Sequence, residues 1–385
     1  PTSSTLDISN TPSGYHNYQY YCEVTNSENT CFTASNAAKL SIANLWKGLN
    51  PNWEENDNWN CLVPPTSTTN VIIPTTPSGG SMPVINSLIS ADCKNIEIQT
   101  NATVTINSDG LDKNGSLIVT GTYTGPGKVI YNRYLTPVPA PSPDPFRRWF
   151  IISSPVNTSL GGFDGSKIVF NATNTPADYD FAPLSEPDNE WKYQTSLPNN
   201  LANGQGYLAR ASGDGILKFT GPPNNSDVTI AVTGSSTNGW NAVGNPFTSA
   251  IGITENALTK DNFLEKNIGS LDPNYKAIYI WYQTDGKSTG TGTGANTSVE
   301  QYYRTINNSG YTGKAYGGPI SAAYVQAGQG FLINALNNGT IKFTKNNADG
   351  SAGMQYHSDT LTLKRAQTSW PGITLLASAG GRTRS

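Results

Sequence analysis

One internal repeat fixes most of what this chain can fold into. Gly204-Gln205-Gly206-Tyr207-Leu208 recurs as Gly328-Gln329-Gly330-Phe331-Leu332. Gly215-Ile216-Leu217-Lys218-Phe219-Thr220 then recurs as Gly339-Thr340-Ile341-Lys342-Phe343-Thr344, at the same offset of 124 residues. Upstream, Trp149 and Pro155 parallel Trp240 and Pro246, each Trp six residues before its Pro. Glu190-Trp191-Lys192-Tyr193-Gln194 has an echo in Tyr279-Ile280-Trp281-Tyr282-Gln283. Two copies of one β-unit are therefore predicted, over residues 146–222 and 238–345, together making a β-sandwich-like domain at 146–350. The second copy is 33 residues longer between its Pro and its Gly-Gln-Gly (82 against 49), and Asp285–Gly317, rich in Gly, Thr, Ser and Asn, reads as the surface loop holding that excess. Strand alternation predicts Phe219 and Phe343 inward, with Lys218 and Lys342 outward. A unit of about 75 residues has a marginal core, so the copies should pack on each other.

The Gly-Gln-Gly element does not fit a phosphate loop. Strands follow it rather than a helix, and neither copy carries the Lys-Ser/Thr that such a loop requires. A glycine ahead of a strand fits a bulge or a positive φ better.

Residues 44–135 read as a second unit. Short apolar runs begin at Ile96, Val104, Leu117 and Val129, separated by turns such as Ser108-Asp109-Gly110 and Asn114-Gly115. Each run is too short to bury its apolar face alone. Stacking them as a small β-solenoid solves this, with a conventional meander as the alternative. Trp46, Trp53 and Trp59 stand within 14 residues of one another at its start. They suit indoles capping a β-stack, or alternatively a sugar-stacking platform that makes them candidate ligand-binding residues. Five prolines within Thr136–Pro145 predict an extended linker between the two units.

Both ends read as pieces of further β-structure. Strand-like Tyr18–Val24 and Phe32–Ile42 form a hairpin within residues 1–43, and residues 351–385 open another β-segment. Of the four cysteines, Cys22, Cys31, Cys61 and Cys93, none forms a CxxC, and the even count suits disulfides of an oxidising compartment. Three connectivities are open; Cys22–Cys31 and Cys61–Cys93 are preferred.

Only 13% of residues are charged and the net charge is −3, which excludes an electrostatic footprint for nucleic acid. No apolar run is long enough to insert in a membrane. With two histidines, His16 and His357, metal-hydrolase motifs are excluded. Gly286-Lys287-Ser288-Thr289-Gly290 matches GxSxG without its strand-turn-helix setting. Asp178, Asp180, Glu186, Asp188 and Glu190 could serve as paired glycosidase carboxylates, but their Pro- and Asn-rich setting reads as a loop. That loop, or Asp109 with Asp112 and Asn114, could hold a structural Ca²⁺ through oxygens, although neither has EF-hand spacing. No catalytic constellation emerges, and the chain reads as a non-enzyme.

Several of these motifs resemble large secreted and cell-surface proteins of the Bacteroidota exported by the type IX secretion system. The carrying residues are Trp46-Lys47-Gly48, Asn58-Trp59, Val63-Pro64, Asn70–Pro74, Ser153-Ser154-Pro155, Gly239-Trp240-Asn241, Val243–Phe247 and Ala327–Phe331. The hairpin, with Tyr20 two residues before Cys22, resembles the last strands of an immunoglobulin-like domain. Asp359-Thr360-Leu361 resembles that phylum's O-glycosylation acceptor, with Thr360 the modified residue. The resemblance implies a non-catalytic structural or adhesive segment of an extracellular protein, flanked by further domains and contacting a protein or glycan surface. A carbohydrate-binding module of a secreted protein is the alternative. Tyr302, Tyr303, Tyr311 and Tyr316, within the long loop, are its candidate partner anchors.

Overall fold

The computed structural model describes residues 18–25, 32–40, 43–109, 113–135, 149–158, 162–234, 238–259, 261–281, 303–309, 323–347, 349–358, 377–379 and 382–384. The N-terminal hairpin forms as expected. Strand β1 (Gln19–Tyr20) pairs antiparallel with β4 (Ala38–Lys39), and β2 (Glu23–Thr25) with β3 (Phe32–Ala34).

Nine strands follow as coils of a parallel β-solenoid: β5 (Ala43–Leu45), β6 (Asn70–Ile73), β7 (Val84–Ile85), β8 (Ser90–Cys93), β9 (Ile96–Ile98), β10 (Thr103–Asn107), β11 (Ser116–Val119), β12 (Tyr123–Thr124) and β13 (Lys128–Leu135). They stack as three faces, β5-β6-β9-β12, β7-β10-β13 and β8-β11, every pairing parallel. Val71, Ile96 and Tyr123 lie in register 25 and 27 residues apart, and Ala91 and Leu117 26 apart, which gives about three turns. The solenoid, not the meander, is the arrangement adopted. Each coil buries its inward side chain on the same position of the next: Ile85 on Ile106 on Tyr131, Cys93 on Val119. Amides stack in the same way. Asn86 donates to Asn52, Asn107 to Asn86 and Asn132 to Asn107, at 3.5, 3.4 and 2.9 Å. A second ladder runs from Asn70 to Asn95 (2.8 Å) and on to the backbone N–H of Thr122 (2.8 Å). Half-buried between coils, these bonds repeat with the coil spacing and hold the register, each contributing at most about 0.5–1.5 kcal/mol.

The first repeat continues with β14 (Trp149–Ile152), β15 (Phe163–Asp164), the paired β16 (Phe170–Asn171) and β17 (Asp178–Tyr179), then β18 (Phe181–Ser185), β19 (Glu190–Trp191), β20 (Tyr207–Arg210) and β21 (Gly215–Gly221). The second holds β22 (Val228–Val232), β23 (Trp240–Gly244), β24 (Ala250–Gly252), a five-residue helix α1 (Phe263–Asn267), β25 (Ala277–Trp281), β26 (Tyr303–Asn307), β27 (Tyr324–Val325), β28 (Gly330–Asn334), β29 (Gly339–Phe343) and β30 (Gln355–Tyr356). A last hairpin joins β31 (Ala377–Ala379) to β32 (Arg382–Arg384).

The duplication is present in the sheets. Antiparallel sheets run β14-β20-β18-β19 in one copy and β23-β28-β25-β26 in the other. Trp149 pairs with Arg210 and Trp240 with Asn334; Ile152 pairs with Tyr207 and Val243 with Phe331. These partners are the 124-residue equivalents. Gly204 and Gly328 both adopt positive φ, +75° and +78°, the conformation that a glycine ahead of each strand suggests. Phe219 and Phe343 are fully buried, while Lys218 and Lys342 point outward to Asp164 and Asp227.

The copies also pack on each other through a pseudo-two-fold exchange. Gly244 N–H donates to Gly204 O at 2.8 Å, and Ser153 N–H, 91 residues earlier, donates to Gly328 O at 3.2 Å. Gln205 bridges to Val243 as Gln329 bridges to Ile152. Ile151, Leu208, Ala242, Tyr279, Trp281 and Leu332 form one buried cluster drawn from both copies.

Three expectations change. The Pro-rich stretch, which lies outside the described residues, does not separate two units: β13 pairs antiparallel with β21 and parallel with β10, so one sheet runs β15-β21-β13-β10-β7. Tyr131 faces Phe219 on β21 as Val228 faces Phe343 on β29, so β13 and β22 are equivalent. The last rung of the solenoid is thus the first strand of the first copy, and the prolines fall within that copy. Second, β18 rather than β19 corresponds to β25, because Ala182 and Tyr279 face the equivalents Leu208 and Leu332. Trp191 answers to Tyr303, each at the sheet edge. Third, Asp285–Gly317 is not one exposed loop. The added length does fall at the β25–β26 turn, yet Tyr303–Asn307 is a sheet strand with Arg304, Thr305 and Ile306 buried.

Candidate functional site

The tryptophan cluster closes the base of the solenoid. Trp46, Trp53 and Trp59 are 0%, 1% and 0% exposed, so none presents a ring face to a ligand. Trp59 meets both other rings edge-on, at 4.9 and 4.8 Å between centroids. The indole N–H groups donate inward, Trp46 to Ser81 O (2.7 Å) and Trp59 to Trp53 O (2.8 Å). Gly48, at φ +71°, is required because a Cβ would fall 2.2 Å from Ser81 O. The platform reading of these three residues is corrected: they are the cap.

Of the four tyrosine anchors, Tyr303 alone lies among the described residues. Tyr303 packs its ring edge-on to Trp281 at 5.1 Å within the sheet, and burial pushes its hydroxyl pKa up. Tyr302, Tyr311 and Tyr316 lie outside the described residues, as do Ser288 and Thr360.

The carboxylate segment is engaged in folding. Asp180 pairs with Arg210, whose guanidinium lies over Trp149 at 5.6 Å, and Asn171 donates to Asp180 at 2.8 Å. Asp178 accepts from Asn171 and Asn174; Asp188 and Glu190 share Lys192; buried Glu186 accepts from Gly239 N–H at 2.8 Å, tying the copies together. The other candidate Ca²⁺ segment is also engaged within the chain at its described residues. Asn114 accepts from Arg133 at 2.5 Å and Asp109 caps Lys113 N–H at 3.0 Å, while Asp112 lies outside the described residues. Among the described residues no three His, Cys, Asp or Glu side chains gather for a metal.

The disulfide expectation is also corrected, since Cys22, Cys61 and Cys93 are free thiols. Cys22 exchanges backbone and side-chain hydrogen bonds with Ser35 across the hairpin, which sets it opposite that serine; Cys31 lies outside the described residues. Cys93 points into the coil interior against Val119, and burial pushes its thiol pKa well up. Cys61 is half-buried in the loop after Trp59, its backbone N–H donating to Asn44 Oδ1 at 3.3 Å, and makes no bridge to Cys93.

Sequence reasoning missed a Ser-His-Asp arrangement. His357 Nδ1 lies 2.8 Å from Ser116 Oγ, and Nε2 lies 3.1 Å from Asp92 Oδ2. Its three members come from distant parts of the chain without a motif. Ser116 is buried, and the neighbouring backbone N–H groups are spent: Ser116 on Ile89 O, Leu117 on Thr248 O. The His357–Ser116 contact staples the second copy to the solenoid.

That staple is one of several. Thr248, Lys345 and Asn346 all bond carbonyls of the β11–β12 coil, at Leu117, Gly121 and Thr120. Asn225 mimics a strand on β12, accepting from Tyr123 N–H (2.6 Å) and donating to Tyr123 O (2.8 Å). The solenoid's open edge is therefore sealed by the repeats.

Where solenoid and repeats meet, a cleft of about 770 Å³ opens. Its walls are Tyr123–Gly125 on one side and Pro222–Thr229 on the other, with Asn157 and Asn203 at the back. Four asparagines line it, with Asn203 donating to Asn224, Asn224 to Pro246 O and Asn225 to Tyr123 O, and its one carboxylate, Asp227, is bonded to Lys342 Nζ at 2.7 Å. Side-chain amides beside a tyrosine suit a neutral, hydroxyl-rich ligand, and the volume falls in the usual range for small-molecule sites.

These elements define an all-β protein in which a solenoid is fused to a duplicated sandwich. The chain belongs to the family described as a domain of unknown function (DUF8693), whose model matches residues 45–368, from β5 past β30. No curated protein and no solved structure matches it.

Proposed function

We propose that the chain is a non-catalytic structural and adhesive segment of a large extracellular cell-surface protein, of the type IX-exported kind its motifs resemble. The observation that carries this is the shared strand β13, which makes solenoid and sandwich one continuous sheet. Pull applied along the chain is then resisted by ladder hydrogen bonds, polar stacks and a sealed edge together. A stiff spacer or platform between neighbouring domains needs that continuity. The immunoglobulin-like hairpin ahead of β5 fits a place in a multidomain row.

The test is adhesion under flow. Beads coated with the chain should hold to glycan- or protein-coated surfaces, and soluble chain should release them. Failure to hold on every surface, together with turnover of a hydrolase substrate, would replace this reading with an enzymatic one.

A carbohydrate-binding module is the second reading, and the amide-lined cleft favours it. On a glycan array, binding that falls on Asn157→Ala and Ser226→Ala would support it; binding unchanged by both would remove the cleft from consideration.

A further inference from the structure

Arg133 stands on β13, the strand that solenoid and first copy share, and is only 2% exposed. Its one hydrogen bond among the described residues runs from Nη1 to Asn114 Oδ1, a neutral amide, at 2.5 Å. No described carboxylate forms an ion pair with it, and its Nε, also buried, has no partner. Arginine does not shed its proton to escape such a setting, and a buried ion without a counter-charge is strongly unfavourable.

A second orphan shares that interior. Tyr131, two residues earlier on the same face of the strand, is 0% exposed, and its hydroxyl has no partner among the described residues either. The two side chains act on each other: burial raises the Tyr131 pKa, and the Arg133 charge partly offsets that rise. Arg133 Nε–H can only donate and the Tyr131 O–H is free to donate, so what both lack is an acceptor. The charge they lack is negative. The place is also enclosed. Leu217 of β21, fully buried, faces Arg133 across the ladder, and Asn114 closes the solenoid side. Gly328 of the second copy covers the Arg133 stem, where an added Cβ would lie 3.3 Å from Cγ and Cδ.

We infer that Arg133 and Tyr131 hold a buried chloride ion at the junction of the solenoid with both copies. Arg133 Nε–H and the Tyr131 O–H donate to it, and its charge balances the guanidinium. A water molecule would satisfy the two donors and leave the charge unbalanced; an oxyanion such as sulfate is too large for so closed a place. Leu217, Asn114 and Gly328 enclose the site only in the folded chain, so chloride stabilises this joint by mass action. Without the ion the Tyr131 hydroxyl is unpaired, and Tyr131→Phe is harmless in halide-free buffer.

Unfolding of the full 385-residue chain by urea at pH 7 and fixed ionic strength, with chloride replaced stepwise by gluconate, tests this. Above the dissociation constant, each tenfold rise in chloride should raise the folded-to-unfolded ratio about tenfold. Bromide should substitute. Tyr131→Phe should weaken the dependence and Arg133→Met should abolish it. A crystal of the unaltered chain grown in bromide gives a second measurement that needs no variant to fold: an anomalous peak between Arg133 Nε and the Tyr131 hydroxyl. Unfolding indifferent to the identity of the anion overturns the inference, and so does a bromide crystal with only water at that place. A chloride response equal in Arg133→Met and the unaltered chain puts the ion elsewhere and overturns it too.

Discussion

Ser153 and Gly244 occupy the same step of the two copies and face each other across the pseudo-two-fold axis. A Cβ placed on Gly244 would fall 2.3 Å from the Cβ of Ser153. Two copies cannot both carry a side chain where equivalent positions meet, which explains why Ser153-Ser154-Pro155 in one answers to Gly244-Asn245-Pro246 in the other.

Gly244→Ser should therefore destabilise by about 1–3 kcal/mol, the usual result of overpacking a filled site. Adding Ser153→Gly should restore part of the loss but not all, because the new Cβ would still fall 2.9 Å from the Gly330 Cα. Urea denaturation of the two singles and the double would give the coupling. Additive losses would mean that the two positions do not meet.

Trp59 touches both other indoles and seals the solenoid base, so Trp59→Ala should cost about 3–5 kcal/mol. Hydrogen exchange should rise first in β5 and β6 and last in β28 and β29. Adhesion to any surface, measured on chain that remains folded, should not change.

Much of this fold was legible because repeats preserve registers. The 124-residue offset alone places Arg210 with Asn334 and Phe219 with Phe343, and the structure pairs them equivalently. The start of the unit was not legible, since Lys128–Leu135 and Val228–Val232 share no motif and are equivalent only through their partners. The echo of Trp191 in Trp281 misled because it matched residue types across a turn that differs in length. Cysteine parity misled as well: Cys93 is a small apolar wall residue, a role that counting cannot distinguish from a disulfide partner. As for the site, the Pro222–Asp227 connector reads only as a loop until the solenoid supplies the opposite wall.

With Cys22, Cys61 and Cys93 free, reductant should leave the melting temperature unchanged, and thiol labelling should report Cys22 and Cys61 readily in the folded chain. Cys93 should label only on unfolding. A large drop in stability under reductant would mean that a bridge forms after all.

Tyr131 gives the last prediction, a dependence on pH. Its hydroxyl is fully buried with no hydrogen-bond partner among the described residues, and burial, partly offset by Arg133, pushes its pKa up to about 12. Cys93 is raised by burial too. In both groups the folded state keeps the proton to higher pH than the unfolded chain does. Stability is then complete below pH about 9 and falls as pH rises, because the unfolded chain releases its protons first. For Tyr131 alone a rise from 10 to about 12 corresponds to about 2–3 kcal/mol lost by pH 12. Tyr131→Phe should remove that part of the alkaline loss. At neutral pH it should be neutral or stabilising, by up to about 1–2 kcal/mol, since it deletes an unpaired buried hydroxyl. Chemical denaturation at pH 7 and pH 11 would decide: a destabilised Tyr131→Phe at pH 7 would mean that the hydroxyl has a partner, a buried water between Tyr131 and Arg133 being the first to look for.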